Sequence, residues 1–212
     1  MDKQQEQLET LREIRSLMEH STRFISLSGL SGVIAGIVAL LGVVAAYIFL
    51  DMGIDDPGYY KHAINNDGTL NETVYNFFVI DIFIVFLVSL IAATVLTRQK
   101  AKQQERPVWD AIAKRLLVNI LIPLITGAVF CLILLYHNYI ALIAPVTLIF
   151  YGLSLLNASR YTLNDVRYLG IVEIVTGLIA TFEIEYGLLF WAFGFGVAHI
   201  VYGIAMYFKY EK

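Results

Sequence analysis

Long apolar runs alternate with short polar stretches along most of the chain. A bilayer core of about 30 Å needs roughly 20 apolar residues in an α-helix, so these runs predict membrane-spanning helices. The six expected spans cover residues 24–50, 74–97, 116–136, 140–156, 168–182 and 188–208. We therefore expect an all-α fold, in which residues 25–208 form a bundle of six transmembrane helices built of three helical hairpins.

Residues 1–24 have a different pattern. Leu8, Leu11, Ile14 and Met18 recur at steps of three and four residues, with charged residues between them. This spacing predicts an N-terminal amphipathic helix. It either lies on the cytoplasmic face of the membrane or pairs two copies of the chain as a short coiled coil.

Composition agrees with a membrane protein. Apolar residues make up 58% of the chain, charged residues 16%, and the mean hydropathy is +0.68. Soluble domains contain roughly 45–50% apolar and about 25% charged residues. The single cysteine, Cys131, excludes a disulfide within one chain. Membrane lipid is therefore the expected surrounding of this protein.

The basic residues predict the orientation of the spans. Of the 15 lysines and arginines, only Lys61 falls on the side of the membrane that carries the loop 51–73. Loops rich in lysine and arginine stay in the cytoplasm. Both termini are therefore expected there.

Small residues repeat every fourth position in the first span. Such stripes let two membrane helices approach closely. They form an expected helix-packing seam made of Ser28, Gly32 and Gly36, and of Ser31, Ala35 and Ala39. A second interpretation makes Ser31 a nucleophile, because Gly29-Leu30-Ser31-Gly32 matches the motif of some intramembrane serine proteases, with His199 as its base. We favour the seam, since a stripe over three turns is more specific than one tetrapeptide.

Two acids and one histidine interrupt the apolar spans. Asp81, Glu173 and His199 are expensive to bury in lipid, so they are expected to face the bundle interior. Residue counting places Asp81 in the outer third, His199 near the middle and Glu173 in the inner third. Together with Asn119 and Thr176 they form a possible polar relay for a proton or a solute. The alternative is that each makes a local hydrogen-bonding tie between helices.

Three segments of the C-terminal half carry a resemblance. They are "NILIPLITGAVF", "APVTLIFYGLSLLNASRYT" and "GLLFWAFGFGVAHIVYG". They resemble a group of uncharacterised six-span inner-membrane proteins of bacteria. The resemblance implies a bacterial inner membrane, and it implies no activity or functional residue.

Three functions remain open at this point. The leading expectation is passage or binding of a small solute or ion, coupled to protons, through the polar interior. The second is a non-transporting adaptor whose N-terminal helix docks a cytoplasmic partner or a second subunit. The third is an intramembrane enzyme.

Sequence motifs and expected partners do little to decide among these three functions. No motif for a cofactor, a metal ion or a nucleic acid is found. The expected partners are lipid and a second copy of the chain, which would bind through the N-terminal helix or the first span. The sequence identifies no soluble partner.

Overall fold

The computed structural model describes residues 27–53, 57–105 and 107–212, together with Gln5 and Phe24. This part of the chain is all-α, as predicted, and these ranges contain no β-strand. Its six helices are α1 (Gly29–Phe49), α2 (Glu72–Gln103), α3 (Ala111–Tyr136), α4 (Ile140–Ala158), α5 (Val166–Phe182) and α6 (Ile184–Tyr210).

Five of these helices are long and apolar enough, by length and composition, to cross a membrane. The exception is α5, which has 17 residues. Large apolar side chains cover the outer surface of α2 and α3, and Ile82, Phe83 and Leu132 are among the exposed ones. An apolar surface of this extent is stable when lipid covers it. The protein is therefore embedded in a membrane.

The predicted N-terminal amphipathic helix lies outside the described residues, except for Gln5 and Phe24. The Phe24 amide donates to the Tyr161 carbonyl at 2.8 Å, and its carbonyl accepts from the Thr162 hydroxyl at 2.6 Å. The chain therefore enters the bundle beside the loop between α4 and α5. We call this end, where α1 begins and α6 ends, the basic end, and the opposite end the acidic end.

The helices pack in an open row. In the middle, α1 packs along α6 and α4 packs along α5, while α6 also contacts α4 and α5. At the two ends of the row, α2 packs mainly on α1, and α3 packs mainly on α4. A cleft therefore separates α2 from α3.

Glycines allow the two central pairs to approach closely. A Cβ atom at Gly36 would lie 2.6 Å from the Gly196 carbonyl oxygen, and one at Gly203 would lie 2.6 Å from that of Gly29. A Cβ atom at Gly152 of α4 would likewise lie 2.6 Å from the carbonyl oxygen of Gly170 of α5. Any side chain at these points would separate the helices. The sequence thus sets the helix spacing by leaving side chains out.

The loop between α1 and α2 covers the acidic end. Its residues Tyr59–Ala63 form a 3-10 turn, and Ile64 and Leu70 form a single antiparallel bridge. The buried Tyr59 hydroxyl donates to the Ile140 carbonyl at 2.9 Å, which fastens the loop to the start of α4.

Candidate functional site

Three polar side chains from three helices meet in the interior of the bundle. Tyr151 comes from α4, Glu173 from α5 and His199 from α6. Glu173 and His199 are buried, with 0% and 6% of their surfaces exposed. Glycines line the helix faces that carry them, so the backbones lie close and the polar groups reach one another.

The imidazole of His199 has a partner on each nitrogen. Its Nε2 lies 2.8 Å from the Tyr151 hydroxyl, and its Nδ1 lies 3.0 Å from the carbonyl oxygen of Gly194. A carbonyl only accepts, so Nδ1 carries the proton and donates to Gly194. The Tyr151 hydroxyl donates to Nε2 when the imidazole is neutral and accepts from Nε2–H when the imidazole is charged. These partners therefore assign a proton to Nδ1 in either state.

The carboxyl group of Glu173 is close to this imidazole but is not hydrogen-bonded to it. Its Oε1 lies 3.3 Å from Nδ1 of His199, yet neither carboxyl oxygen has a hydrogen-bond partner among the described residues. The two groups are close without a hydrogen bond because the Nδ1–H bond of His199 points at the Gly194 carbonyl and not at the carboxyl group. A fully buried carboxyl group without a donor is costly as an anion. Glu173 is therefore stable as a neutral acid, or as an anion when His199 carries a second proton.

A π-helical segment creates the space for Glu173. Residues Ala192–Ala198 of α6 are wound as a π-helix, a form that often occurs at functional sites. A Cβ atom at Gly194, inside this segment, would collide with Oε2 of Glu173. The glycine therefore admits the carboxyl group, and the wider winding brings the Gly194 carbonyl beneath the His199 ring.

Aromatic rings cover the site on its acidic-end side. The ring of Phe195 lies 4.7 Å from that of Trp191 and 5.0 Å from that of Tyr151, measured between centroids. It also stacks on His199 at 5.9 Å. These rings exclude water from that side of the imidazole.

A cavity of about 240 Å³ reaches the site from the basic end. Tyr151 and His199 line it, together with Ser31 and Ala35 of α1 and Ser89 of α2. Glu173 is not part of the lining and lies behind the imidazole. His199 therefore separates a mostly apolar cavity, which a few hydroxyl groups also line, from a buried carboxyl group. We call this space the basic-end cavity.

Asp81 lies in a different cavity, of about 230 Å³, which we call the acidic-end cavity. Its carboxyl group lies beside Gly42 of α1. Gly42 follows Gly36, which packs against the π-helical segment, by six residues. At 1.5 Å per residue, Asp81 is about 9 Å closer to the acidic end than the His199 site. The structure thus does not bring Asp81 together with Glu173 and His199.

The other predicted relay residues are divided between the site and the surface. Thr176 is buried on α5, one turn from Glu173. Asn119 instead donates to the Arg115 carbonyl of its own helix at 2.8 Å and is away from the site. The expected order of depths, with Glu173 nearer the cytoplasm than His199, stays a prediction. The structure shows that the two side chains are in contact.

The predicted seam of α1 is divided as well. Gly32 and Gly36 face α6, and Ala39 is buried. Ser31 and Ala35 line the basic-end cavity, while the hydroxyl of Ser28 donates to Glu211 at 3.3 Å. Only part of the two stripes is therefore in contact with another helix.

Ser31 and His199 line the same cavity but do not form a catalytic pair. The Ser31 hydroxyl donates to the Ser28 carbonyl at 2.6 Å. Both nitrogens of His199 have partners elsewhere, as described above. The intramembrane protease remains an untested interpretation that this arrangement does not favour.

Sequence reasoning missed Tyr151. Tyrosine is common at membrane interfaces, so a tyrosine beside a span attracts no attention. The available signal was its position in the middle of the fourth span, where a hydroxyl group needs a partner.

Comparison with protein families, curated proteins and solved structures finds no match to this chain. The resemblance to uncharacterised six-span bacterial proteins therefore stays a prediction.

Proposed function

We propose that the chain is a six-span integral protein of the bacterial inner membrane that binds a small solute in the basic-end cavity. Binding or passage of the solute is coupled to a proton held by Glu173 and His199. Both termini lie in the cytoplasm. The excess of basic residues at the basic end supports this orientation, as does the meeting of the start of α1 with the end of α6, where the Gly29 amide donates to Glu211 at 2.6 Å.

One observation carries the proposal. Glu173 is completely buried with no hydrogen-bond donor in the part of the chain that the structure describes, and it lies 3.3 Å from an imidazole that lines a cavity. Ionisable groups inside membrane spans usually mark proton, ion or solute pathways. Polar residues that only tie helices together find partners, as Ser154 of α4 does with the Ile120 carbonyl at 3.0 Å.

The geometry allows a balanced proton transfer. The transfer passes through the pair in which Glu173 is an anion and His199 carries a second proton, taken up on Nε2 from the cavity side. Nδ1–H then turns from the Gly194 carbonyl towards the Glu173 carboxylate, 3.3 Å away, which accepts its proton. The carboxylate becomes a neutral acid, and the imidazole returns to its neutral form as the other tautomer. Nε2–H can then donate to the Tyr151 oxygen. One positive charge enters, and one negative charge is neutralised.

Proton flux in proteoliposomes tests the proposal. Vesicles containing the full chain and the internal pH dye pyranine are given a potassium diffusion potential with valinomycin. We expect Glu173→Gln to lower proton entry to the level of protein-free vesicles while leaving the thermal unfolding temperature nearly unchanged. Glu183→Gln, which alters an exposed acid at the acidic end, should keep wild-type flux.

Two results would contradict the proposal. One is wild-type flux equal to that of empty vesicles. The other is Glu173→Gln protein that unfolds at a much lower temperature yet conducts protons like the wild type. The second result would identify Glu173 as a structural tie.

A further inference from the structure

The acidic-end cavity has the properties of a second binding site. It lies between α1, α2, α3, α4 and α6, and its wall is almost entirely apolar or aromatic. Its volume of about 230 Å³ is below the range of roughly 300–1,000 Å³ that is usual for drug-sized ligands. It therefore suits a small apolar molecule.

The cavity is open sideways as well. Val79 and Ile82 of α2 and Leu132 of α3 belong to its lining, and they are also 48%, 49% and 65% exposed on the surface of the bundle. They flank the cleft that separates α2 from α3. A molecule dissolved in the lipid can therefore enter without passing through water.

Asp81 gives this cavity its charge. It is half-buried in the wall, and it has no hydrogen bond or ion pair with any residue that the structure describes. Among the described residues, no lysine, arginine or histidine lines the cavity. A carboxylate in apolar surroundings attracts a cation far more strongly than one in water.

Aromatic rings are the second feature of the acidic-end cavity that would bind a cation. Tyr59, Phe78 and Trp191 line the cavity, and the Tyr59 and Phe78 rings meet edge to face at 5.8 Å. The faces of aromatic rings bind organic ammonium ions, which give up less hydration than a metal ion does. An acid and several aromatic rings in a dry cavity are the combination that such ions require.

We infer that the acidic-end cavity binds a small lipophilic ammonium ion, with its charge against Asp81 and its apolar part among the aromatic rings. The ion enters from the lipid through the cleft between α2 and α3. This inference concerns a different cavity from the proton site, and it stands whether or not Glu173 carries protons.

Binding of an isosteric pair tests the inference. Benzyltrimethylammonium and neopentylbenzene have the same shape and differ only in the central atom, which is a charged nitrogen in one and carbon in the other. Their affinities for the full chain in detergent are measured by equilibrium dialysis with radiolabelled compounds. We expect the wild type to bind the ammonium ion at least tenfold more tightly than the hydrocarbon.

Two variants test whether Asp81 supplies the charge that binds the ammonium ion. Asp81→Asn should weaken binding of the ammonium ion at least tenfold and change that of neopentylbenzene less than twofold, which also shows that the cavity is intact. Glu72→Gln removes an exposed acid from the first turn of the same helix and should change neither affinity.

Three results would overturn the inference. They are equal affinities of the two compounds for the wild type, an Asp81→Asn variant that keeps full affinity for the ammonium ion, and no binding of either compound. The first would indicate an unspecific apolar cavity.

Discussion

Lys100 and Glu211 form an ion pair of 3.1 Å between Nζ and Oε1, which joins the end of α2 to the end of α6. Both side chains are largely buried, with 9% and 13% of their surfaces exposed. Lys100 also donates to the Leu27 carbonyl at 2.6 Å. The pair therefore ties three chain segments together at the basic end.

Removing one partner of this pair should destabilise the protein. Glu211→Ala leaves the Lys100 ammonium without its counter-ion and the Gly29 amide without its acceptor. We expect a loss of about 3 kcal/mol, at the lower end for a broken buried pair because this end lies near water. Thermal unfolding in detergent measures it. The double variant Lys100→Met with Glu211→Leu should lose less than either single variant, and an additive loss would contradict a direct pairing.

The contact between α1 and α6 predicts different effects at two glycines of one helix. Gly36→Ala places Cβ 2.6 Å from the Gly196 carbonyl, so we expect a net loss of about 1–3 kcal/mol. At Gly32 the nearest atom would be 3.3 Å away, and the better helix propensity of alanine offsets the tight contact. Gly32→Ala should therefore be nearly neutral in thermal unfolding. Equal losses of stability at both positions would contradict a closer contact of α1 with α6 at Gly36 than at Gly32.

Tyr151→Phe should remove one hydrogen bond from the proton site while the packing of the aromatic ring is kept. The change removes the donor to Nε2 of His199 and keeps the aromatic ring that packs on Phe195. We expect a loss of stability of about 1 kcal/mol and a proton flux reduced by roughly a hundredfold, the lower end for a lost proton-transfer partner. The pyranine assay and thermal unfolding check the two effects. Full flux in this variant would remove Tyr151 from the pathway.

Ser31→Ala tests the protease interpretation. Among the described residues, the Ser31 hydroxyl bonds only to the Ser28 carbonyl one turn away, so its loss should change stability by less than about 1 kcal/mol. Proton flux should stay at the wild-type level. If the wild type cleaves a fluorescent casein substrate and the variant does not, Ser31 is a nucleophile and our assignment is wrong.

Asp165 should make stability depend on pH at the basic end. Burial alone would raise its pKa, but hydrogen bonds from Tyr210 and Lys209 outweigh burial and hold the pKa of Asp165 below its ordinary value. A lowered pKa stabilises the fold above the ordinary aspartate value of about 3.9, and this contribution is lost as the pH falls through the folded-state value.

The comparison of Asp165→Asn with the wild type measures this contribution. The difference between their unfolding temperatures should be present at pH 7 and should shrink as the pH falls below about 4. The pair is partly exposed, so the difference will be small and will decrease with salt. Glu183→Gln is the matched control. If the difference in unfolding temperature did not depend on pH, the negative charge of Asp165 would contribute nothing to the stability of the fold.

The apolar runs predicted where the helices lie along the chain, but they did not predict the packing of α1 along α6 in the middle of the row. The sixth span was expected over 188–208 and forms Ile184–Tyr210, and the fourth was expected over 140–156 and forms Ile140–Ala158. Hydropathy reports which segments avoid water, and it does not report which helices are neighbours. Five segments pass the length and composition criterion for a membrane span, so a sixth crossing by α5 stays a prediction.

The site was predicted in part for a similar reason. The cost of burying charge identified Glu173 and His199 as interior residues, but counting along the spans did not predict that the two side chains would be in contact. Counting assumes straight helices that start at one level, whereas α5 is short and α6 contains a π-helical segment. Lys100 and Glu211 were missed because charges just beyond a span normally face water. Tertiary contacts bury them here.

The position of α2 at one end of the helix row has a mechanical consequence. This single helix forms part of the wall of both cavities, through Asp81 at one level and Ser89 at another. Its main support is α1, and the cleft separates it from α3. If α2 pivots about its contact line with α1, both cavities change width together. A molecule bound beside Asp81 would thereby change the access of water and protons to His199.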